Sequence, residues 1–255
     1  MKNHNIAFTF ASSEVDKFSQ SFIKIIELLT GKLILKKLQI NLVPHYHCSK
    51  KIKKKGRLIV VANHAFGVVD GVSMCSLISK VRQDYKMITH KVLRQAEAVK
   101  EKILPIDFSP TKEAIIRNIE TRKLAEDHLK SEGLIIIFPS GQIATKSKVG
   151  KNIKVDDGAW KQFTSKLAVR TNSSILPMFF EGQNSQFFHI ANKLGQTFRY
   201  SLMMYELKRK IGHTVDLHIG EAISEKKIRK IGDLKEITKL IRLKTYNLDP
   251  LKYHN

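Results

Sequence analysis

Acidic residues are scarce in this 255-residue chain. Its 23 Asp and Glu stand against 45 Lys and Arg, which leaves a formal net charge of +22 at pH 7. A surplus of this size indicates an anionic partner, and both nucleic acid and an anionic membrane surface fit that description. Hydrophobic residues make up 42% of the chain, enough to bury a sizeable core, which argues against a disordered polycation.

Cysteine is almost absent as well. Cys48 and Cys75 cannot staple a fold of this length, so we expect no disulfide framework and a reducing compartment. Cys75 falls among Val72, Leu77 and Ile78 in a pattern typical of a helix packing face, and we expect a buried thiol there rather than a nucleophile. No group of His, Cys and carboxylates has the spacing of metal ligands, and no metal is expected.

Long uncharged apolar stretches are missing too. The best window, residues 18–35, contains Lys24, Glu27 and Lys32, whereas a membrane-spanning helix needs roughly 18 or more apolar residues. The first residues, MKNHNIAFTF, lack the apolar core and the small-residue cleavage site of a secretory signal. We therefore expect neither a transmembrane helix nor a signal peptide.

An amphipathic helix is predicted near the amino terminus, after the capping residues Ser12 and Ser13. Its apolar face consists of Phe18, Phe22, Ile25, Ile26, Leu29 and Leu33. Packing on the core explains this face, and so does docking on a membrane, for which nearby lysines supply positive charge. The basic run at residues 50–57 is likewise either a solvated loop or a contact for phosphates or lipid headgroups.

Short β-rich runs alternate with helical patterns along the rest of the chain. Strands are predicted at residues 58–62, 86–89, 134–138, 174–180 and 214–219, and helices at 109–131 and through Trp160, Phe163 and Leu167. This alternation favours a single-domain α/β sandwich, with a mostly parallel or mixed central sheet flanked by helices and with chemistry in the loops after the strands. We expect an amino-terminal extension at 1–56, a core at 57–223 and a basic helical segment at 224–255.

The first of these loops places His64 six residues before Asp70, directly after the strand at 58–62. An imidazole held by a carboxylate is the arrangement of a general base, and Gly67 supplies the backbone freedom that a short turn needs. The same residues also fit a structural histidine with Asp70 acting only as a helix cap. The spacing alone leaves both interpretations open.

The second loop, Phe138-Pro139-Ser140-Gly141, follows the strongest strand of the sequence. Gly141 and its neighbours can present backbone N–H groups to an oxyanion or a phosphate, although an ordinary strand-ending turn has the same composition. In the third region, the strand at 174–180 contains Pro177. Proline inside a strand indicates a sheet edge or a bulge.

Taken in order, the three blocks resemble the signatures of the glycerolipid acyltransferase superfamily, the lysophosphatidic-acid-acyltransferase-like enzymes. The matching residues are Asn63, His64 and Asp70, then Phe138, Pro139 and Gly141, and finally Pro177. The resemblance covers roughly residues 57–223 and implies the α/β fold of that superfamily. It also implies that His64 takes a proton from the acceptor's hydroxyl or amine while Asp70 orients it. The acceptor then attacks an acyl thioester directly, without an acyl-enzyme.

The loop between His64 and Asp70 contains five residues, where most members of the superfamily have four. A hemolysin-like bacterial branch, which includes acyltransferases of ornithine and glycine lipids, has the longer loop with glycines in and after it. That branch also has a Trp-Lys pair after the second block and a Gly-x-Asn-Ser turn after the third. The residues of this chain that match are Gly67, Gly71, Trp160, Lys161 and the turn at 182–185. The chain is therefore most similar to this branch.

The resemblance also bears on the acceptor. Members that use glycerol phosphate carry Glu in the second block and Arg in a preceding block, whereas this chain has Ser140 and, at residues 103–108, no such Arg. Lysophosphatidic acid is therefore a doubtful acceptor, and Lys146, Lys148 and Lys161 are either substitute contacts for an anionic headgroup or solvated surface lysines. The other residues expected to contact substrate are Asn63, Gly67, Phe138, Pro139, Ser140 and Gly141.

Together these features predict a peripheral enzyme on the cytoplasmic face of an anionic membrane. It would transfer a fatty acyl chain from acyl-CoA or acyl-carrier protein to a lysophospholipid or lyso-aminolipid. No cofactor is expected besides that co-substrate, and the acidic carrier protein is a candidate partner of the basic surface. One alternative is a nucleic-acid-binding protein, but no signature of such a protein is present and we expect no nucleic-acid partner. The other is a non-catalytic lipid-binding protein of the same fold.

Overall fold

The computed structural model describes residues 39–49, 52–95, 99–149, 152–191 and 196–253. The amphipathic helix predicted after Ser13 lies outside these ranges, as do Lys50 and Lys51 of the basic run. Within the described ranges, no helix combines the length and the apolar character that crossing a bilayer requires.

The described residues form nine strands, five of them at or within a residue of the predicted bounds, and seven of the nine make one mixed sheet. They are β1 Asn41–Tyr46, β2 Leu58–Ala62, β3 Tyr85–His90, β4 Ile103–Ile106, β5 Leu134–Ile137, β6 Thr145–Val149, β7 Asn152–Asp156, β8 Ser174–Phe180 and β9 Thr214–Ile219. The sheet order is β1–β9–β8–β2–β5–β3–β4, and β6 and β7 form a separate antiparallel pair. The five strands from β8 to β4 are parallel, whereas β9 runs antiparallel to β8 and parallel to β1. The five parallel strands therefore end at one edge, called the carboxyl edge below.

In the part of the chain that the structure describes, seven α-helices cover the two faces of the sheet. They are α1 Val68–Ser79, α2 Lys112–Lys130, α3 Phe163–Thr171, α4 Gln186–Ala191, α5 Gln196–Lys210, α6 Glu225–Ile231 and α7 Leu234–Tyr246, with 3-10 turns at Lys91–Gln95, Lys100–Lys102 and Pro250–Tyr253. Val60 of β2 packs in the core on the side of α1 and α5, and Ile59 in the core shared with α2, α3, α6 and α7. Because both faces of β2 are covered, its sequence is an unbroken apolar run.

The strands predicted at 58–62, 174–180 and 214–219 have the predicted bounds. The predicted helix at 109–131 begins later, at Lys112, because the side chain of Thr111 caps it by accepting the Ala114 N–H at 3.1 Å. Trp160 does not lie on α3 as predicted. It precedes the helix, and its indole N–H donates to Asp157 Oδ1 at 3.0 Å.

Pro177 lies in a central strand, so the prediction of an edge is wrong and that of a bulge is correct. Ile175 exchanges two backbone hydrogen bonds with Ile223, at 3.0 and 2.7 Å, whereas Met178 pairs with Ile219. Three steps along β8 therefore correspond to four along its partner. Because N–H groups alternate in direction along a strand, the missing donor of Pro177 falls on the side where this bulge interrupts the ladder.

The boundaries predicted at residues 56 and 223 do not separate packing units. All six residues of β1 pair with β9, although β1 precedes residue 57. Ile237 and Ile241 of α7 are buried in the core beneath β2 and β8, although they follow residue 223. The predicted extension and carboxyl-terminal segment therefore contribute a strand and a helical face to the same sandwich.

The described part of the basic run lies at the amino end of β2, on the opposite side of the sheet from the carboxyl edge. The Lys53 ammonium donates to Ser174 Oγ at 3.1 Å, and Arg57 Nε donates to Glu132 at 2.8 Å. Lys54 and Lys55 between them are exposed. Part of the run therefore ties β2 to its neighbours.

Candidate active site

His64 and Asp70 form a direct hydrogen bond at the carboxyl edge. β2 ends at Ala62, α1 begins at Val68, and the intervening loop brings His64 Nδ1 to 2.8 Å from Asp70 Oδ2. The Asp70 side chain is fully buried, whereas that of His64 keeps 19% of its surface exposed. An ionised carboxylate only accepts hydrogen bonds, so Nδ1 carries the proton and the lone pair of Nε2 is available for a reacting group.

Asp70 also organises the loop that carries His64. The same Oδ2 atom accepts the backbone N–H groups of Phe66 at 2.8 Å and of Gly67 at 3.0 Å, at the start of α1. Both interpretations of the spacing are therefore present in one carboxylate, which caps the helix and holds the imidazole. Gly67 has φ = +85°, a backbone conformation that a side chain would strain.

The loop after β5 packs on the histidine. The ring of Phe138 stacks on the His64 imidazole, with centroids 4.2 Å apart and planes inclined by 20°. The Ala144 N–H donates to the backbone oxygen of His64 at 2.7 Å. Contacts to both its ring and its backbone therefore fix His64, and the loop between β5 and β6 supplies both of them.

Asn63 joins two strands and does not line the cavity described below. Its Oδ1 accepts the Phe180 N–H at 2.7 Å, and its Nδ2 donates to the Phe180 oxygen at 3.0 Å. This buried amide therefore continues the pairing of β2 with β8 beyond the end of β2, and both of its polar atoms are engaged.

Ser140 builds the turn that follows β5. Its buried hydroxyl donates to the Gln142 oxygen at 3.0 Å and lies 3.2 Å from the Gln142 N–H. The Gly141 N–H donates to the Phe138 oxygen at 3.0 Å. The N–H groups of Gly141 and Gln142, which were expected to face an oxyanion, are thus bonded within the turn.

A cavity of about 780 Å³ opens beside His64 and extends along α1 toward β3. Its wall along α1 repeats at helical spacing, through Val68, Gly71, Val72, Cys75 and Ser79, and Met87 of β3 also lines it. Apolar groups dominate this part of the wall. Of the predicted substrate contacts, those that line the cavity are Gly67, Phe138, Pro139, Gly141 and Lys161.

Cys75 lines the cavity but is unsuited to be a nucleophile. Burial raises the pKa of its thiol to about 12, and a hydrogen bond with Tyr85 and the charge of Lys102 only partly oppose this effect. The thiolate is therefore negligible at neutral pH, in agreement with the prediction of an unreactive buried thiol.

The part of the cavity lined by His90, Phe108, Arg122 and Lys161 includes exposed side chains and is called the mouth below. Several of these residues had no motif to mark them. His90 ends β3 and stacks on Phe108 in the loop after β4, with centroids 5.6 Å apart. Burial lowers the pKa of His90, and Lys91 lowers it further, so at neutral pH the ring is uncharged and accepts the Val92 N–H at 3.2 Å. The positions of His90 and Phe108 in the chain could have indicated that they belong to the site, because His90 ends one strand and Phe108 follows another, and both strands end at the carboxyl edge.

Cations at the mouth fall into two groups. Lys91 and Arg117 pair with the buried carboxylate of Asp107, at 3.0 and 2.5 Å. Hydrogen bonds from Ser109, and then from these two cations, lower the pKa of Asp107 well below its usual range. Arg122 and Lys161 instead lie over aromatic rings, each 5.7 Å from a ring centroid, and both line the cavity.

The other two predicted lysines are placed differently. Lys146 is exposed in β6 and is absent from the cavity wall, and its backbone N–H donates to His189 at 3.3 Å. The side chain of Lys148 lies outside what the structure describes. Of the three lysines, Lys161 is thus the one that the structure places at the cavity.

No described group of three or more His, Cys, Asp or Glu residues has the arrangement of a metal site. The largest histidine cluster, on β1 and β9, is engaged internally. His45 bonds Asp216 at 2.8 Å, and His218 bonds both His47 and Glu181 at 2.9 Å.

Comparison with known proteins gives one family and two named relatives. The model of a family described as acyltransferase matches residues 42–252. A lyso-glycine lipid O-acyltransferase of Phocaeicola vulgatus is 25% identical over 181 residues, which are 68% of this chain and 62% of that protein. A protein of the same name from Bacteroides thetaiotaomicron is 22% identical over 200 residues, 76% of this chain and 66% of that protein. The matches thus span just under two thirds of each relative.

A solved structure has the same fold. The crystal structure of the 1-acyl-sn-glycerophosphate (LPA) acyltransferase PlsC from Thermotoga maritima superposes with a TM-score of 0.56 at 21% identity, covering 96% of this chain and 85% of that one. The predicted α/β sandwich with a mixed central sheet is confirmed.

Proposed function

Since the chain belongs to the acyltransferase family, as the three ordered blocks implied, we propose that it transfers a fatty acyl chain from a thioester to a lysolipid. One observation carries the proposal. His64, held by Asp70 at 2.8 Å, lies where an apolar cavity of about 780 Å³ meets a polar mouth. A general base and a site for a hydrocarbon chain are the two elements that acyl transfer to a lipid hydroxyl or amine requires.

His64 acts as the base in the proposed mechanism. Its Nε2 takes the proton of the acceptor's hydroxyl or amine as that group attacks the thioester carbonyl carbon, and Asp70 stabilises the imidazolium that forms. The tetrahedral intermediate then collapses, the carbon–sulfur bond breaks, and the imidazolium returns the proton to the leaving thiolate. No acyl-enzyme is needed, consistent with a Cys75 thiol whose pKa is about 12.

The cavity along α1 is proposed to hold the acyl chain. From Val68 to Ser79 the helix rises about 17 Å, at ~1.5 Å per residue, and residues lining the cavity recur along that length. A long, mostly apolar groove suits an extended hydrocarbon chain, whose transfer from water is favourable. His64 at one end lies beside the position that the thioester carbonyl would occupy.

The acceptor is proposed to be a lyso-aminolipid with an anionic headgroup. Arg122 and Lys161 line the mouth, where they can bind a carboxylate or a phosphate. Both curated relatives are named for lyso-glycine lipid, which supports an aminolipid over a glycerol phosphate. Ser140 also supports this choice, because it stands where glycerol-phosphate-using members carry Glu.

The donor and the location complete the proposal. Coenzyme A and acyl-carrier protein are both anionic carriers of acyl thioesters, and a net charge of +22 favours either one. The same charge favours peripheral binding to the cytoplasmic face of an anionic membrane, where lysolipids reside.

The test is an acyl-transfer assay with purified protein, in which mass spectrometry measures the product from lyso-glycine lipid and, separately, from lysophosphatidic acid. Each acceptor is paired with acyl-CoA and with acyl-carrier protein. We expect faster transfer to lyso-glycine lipid, and a His64→Gln variant slower by roughly 10²- to 10⁴-fold. Undiminished turnover by that variant would remove His64 as the base. Faster transfer to lysophosphatidic acid would refute the proposed acceptor.

A further inference from the structure

Three isoleucines on α2 face solvent. Ile115, Ile116 and Ile119 are 61%, 58% and 56% exposed, although the helix buries a different face, formed by Ala114, Thr121, Ala125 and Leu129. Phe108, in the loop that leads into α2, is 52% exposed. Single exposed apolar residues are ordinary, but a contiguous group of large ones indicates an interaction surface. These four residues are called the α2 patch below.

The patch adjoins the mouth of the cavity. The Asn118 side chain of α2 donates to the backbone oxygen of Asp107 and accepts its N–H, both at 2.8 Å, which fixes the loop bearing Phe108 against the helix. Phe108, Asn118 and Arg122 all line the cavity. A surface that covered the patch would therefore also face the opening through which a substrate enters.

Lysines flank the apolar residues of the patch on the surface of α2. Lys112, Ile116, Ile119 and Lys123 follow one another at intervals of four, three and four residues, so they form a single stripe along the outward face of α2, with a lysine at each end. Lys161, at the mouth, places its ammonium 5.7 Å from the Phe108 ring centroid.

The acidic residues in the first half of α2 lie on a different side of the helix from Arg122, which lines the mouth. Glu113 and Glu120 are seven residues apart and therefore share a flank, which is opposite Arg122 on the helical wheel. The remaining nearby carboxylate, Asp107, is buried and paired with Lys91 and Arg117. An apolar stripe bordered by lysines fits an anionic lipid surface, because the side chains enter the acyl region while the ammonium groups meet headgroup phosphates.

We propose that the α2 patch docks on an anionic lipid bilayer and holds the mouth of the cavity against it. The docking surface is inferred from exposure and charge, and its purpose, the entry of a lipid acceptor, rests on the proposed function. The described part of the basic run, residues 52–57, precedes β2 at the amino edge of the sheet, whereas the loop that bears Phe108 follows β4 at the carboxyl edge. We therefore expect that run to contribute less than the patch to docking.

Co-sedimentation with vesicles of phosphatidylcholine and phosphatidylglycerol tests the patch. The combined Ile115→Gln, Ile116→Gln and Ile119→Gln variant is expected to bind these vesicles about tenfold more weakly or worse, since three apolar side chains lose their burial. Leu124→Gln is the matched control, because Leu124 is 53% exposed on the same helix but lies off the stripe. Its binding should change less than about twofold.

Charge variants test the orientation. Lys112→Gln with Lys123→Gln removes two cations from the stripe, and Lys54→Gln with Lys55→Gln removes two exposed cations from the opposite edge. Only the first pair is expected to weaken binding to the anionic vesicles by about fivefold or more, since each cation near the surface contributes about 1 kcal/mol. A larger loss from the second pair would overturn the proposal.

Two further readouts separate this inference from the proposed function. The triple Ile variant should keep its acyl-transfer rate on detergent-dispersed lysolipid, whereas His64→Gln should lose transfer and keep vesicle binding. Unchanged vesicle binding by the triple variant would refute the docking surface, whatever the transfer assay shows. If that variant lost self-association in lipid-free solution and still bound vesicles, the patch would belong to a second copy of the chain and the proposal would be wrong.

Discussion

Lys210 lies over the ring of Phe66, with its ammonium 3.9 Å from the ring centroid. Phe66 belongs to the loop between His64 and Asp70, whereas Lys210 is the last residue of α5, 144 positions further along the chain. Burial lowers the pKa of Lys210, and the charges of Asp70 and Glu206 partly restore it. Lys210 therefore contacts the same loop that Asp70 holds through hydrogen bonds from the Phe66 and Gly67 backbone.

Replacing this cation is expected to loosen the catalytic loop. A cation–π contact at a half-buried site contributes about 1 kcal/mol, so Lys210→Gln should lower turnover roughly fivefold if that energy is lost in the transition state. Lys210→Arg keeps the charge over the ring and should retain most of the activity. Arg209→Gln, on the adjacent exposed residue, serves as the control in the same steady-state assay. Equal effects of the 209 and 210 variants would contradict a specific role for Lys210.

Asp70→Asn is expected to abolish most transfer because it removes the negative charge that stabilises the His64 imidazolium. The amide oxygen can take the place of Oδ2 and still accept the Phe66, Gly67 and His64 N–H groups, so the loop and the Nδ1–H tautomer are kept while the charge is lost. We expect kcat to fall by roughly 10²- to 10⁴-fold. Asp216→Asn is the control, since it changes a second His–Asp pair, His45–Asp216, also at 2.8 Å. Comparable losses in both variants would argue against a specific role for the Asp70 charge.

Gly71→Leu is expected to shorten the acyl chains that the protein uses. A Cβ at Gly71 would meet nothing nearer than the Met87 sulfur, at 3.8 Å, so the backbone accepts a larger residue whose side chain extends into the cavity. Helix propensity also improves when glycine is replaced, so the fold should be retained. Competition between acyl donors of different lengths, measured by mass spectrometry, should show a shift to shorter chains. Gly71→Ala should show a smaller shift, and the same preference in all three proteins would contradict an acyl chain in this cavity.

Stability is expected to fall as the pH decreases from about 7 to 5. Burial lowers the pKa of four histidines, His47, His90, His128 and His189. A folded pKa below the unfolded value means that the unfolded chain binds more protons below about pH 6.5, so acidification favours unfolding. The slope is at most ~1.4 kcal/mol per pH unit for each of His90, His128 and His189, and smaller for His47, which is exposed.

Urea denaturation at pH 7.5, 6.5 and 5.5 measures this loss. His189→Gln should reduce the dependence on pH, because it removes one of the four groups, whereas replacement of the exposed His213 should not. A free energy of unfolding that stayed constant over this range would contradict the burial of these imidazoles.

The patterns that were read correctly from the sequence are local ones. β2 and β8 are covered on both faces, so continuous apolar runs mark their full lengths. His64 and Asp70 flank the short loop between β2 and α1. Because a strand and a helix joined by so short a loop keep their adjoining ends close together, the hydrogen bond between the two side chains could be anticipated. Cys75 was recognisable as a buried thiol because its helical neighbours are apolar.

The errors and omissions lie where residues distant in the chain meet. The amide of Asn63 bonds Phe180, 117 residues away, because β2 and β8 are adjacent in the sheet, and no local pattern indicates that partner. His90 and Arg122 reach the cavity mouth only through the order of strands and the tilt of α2. Sequence periodicity specifies which face of an element is buried, but not which other element covers it.

The sequence by itself determined five of the nine described strands, the histidine–aspartate pair and the family, because each depends on patterns of residues close together in the chain. Only the tertiary structure decided which residues surround that pair, where the cavity runs, and that Ile115, Ile116 and Ile119 face solvent beside its mouth. The physical reason is that strand order and helix packing set distances between residues that no local pattern relates. In this protein, only the fold shows that the lysines of the α2 stripe and the described residues 52–57 of the basic run belong to different parts of the surface, the first beside the cavity and the second at the amino edge of the sheet.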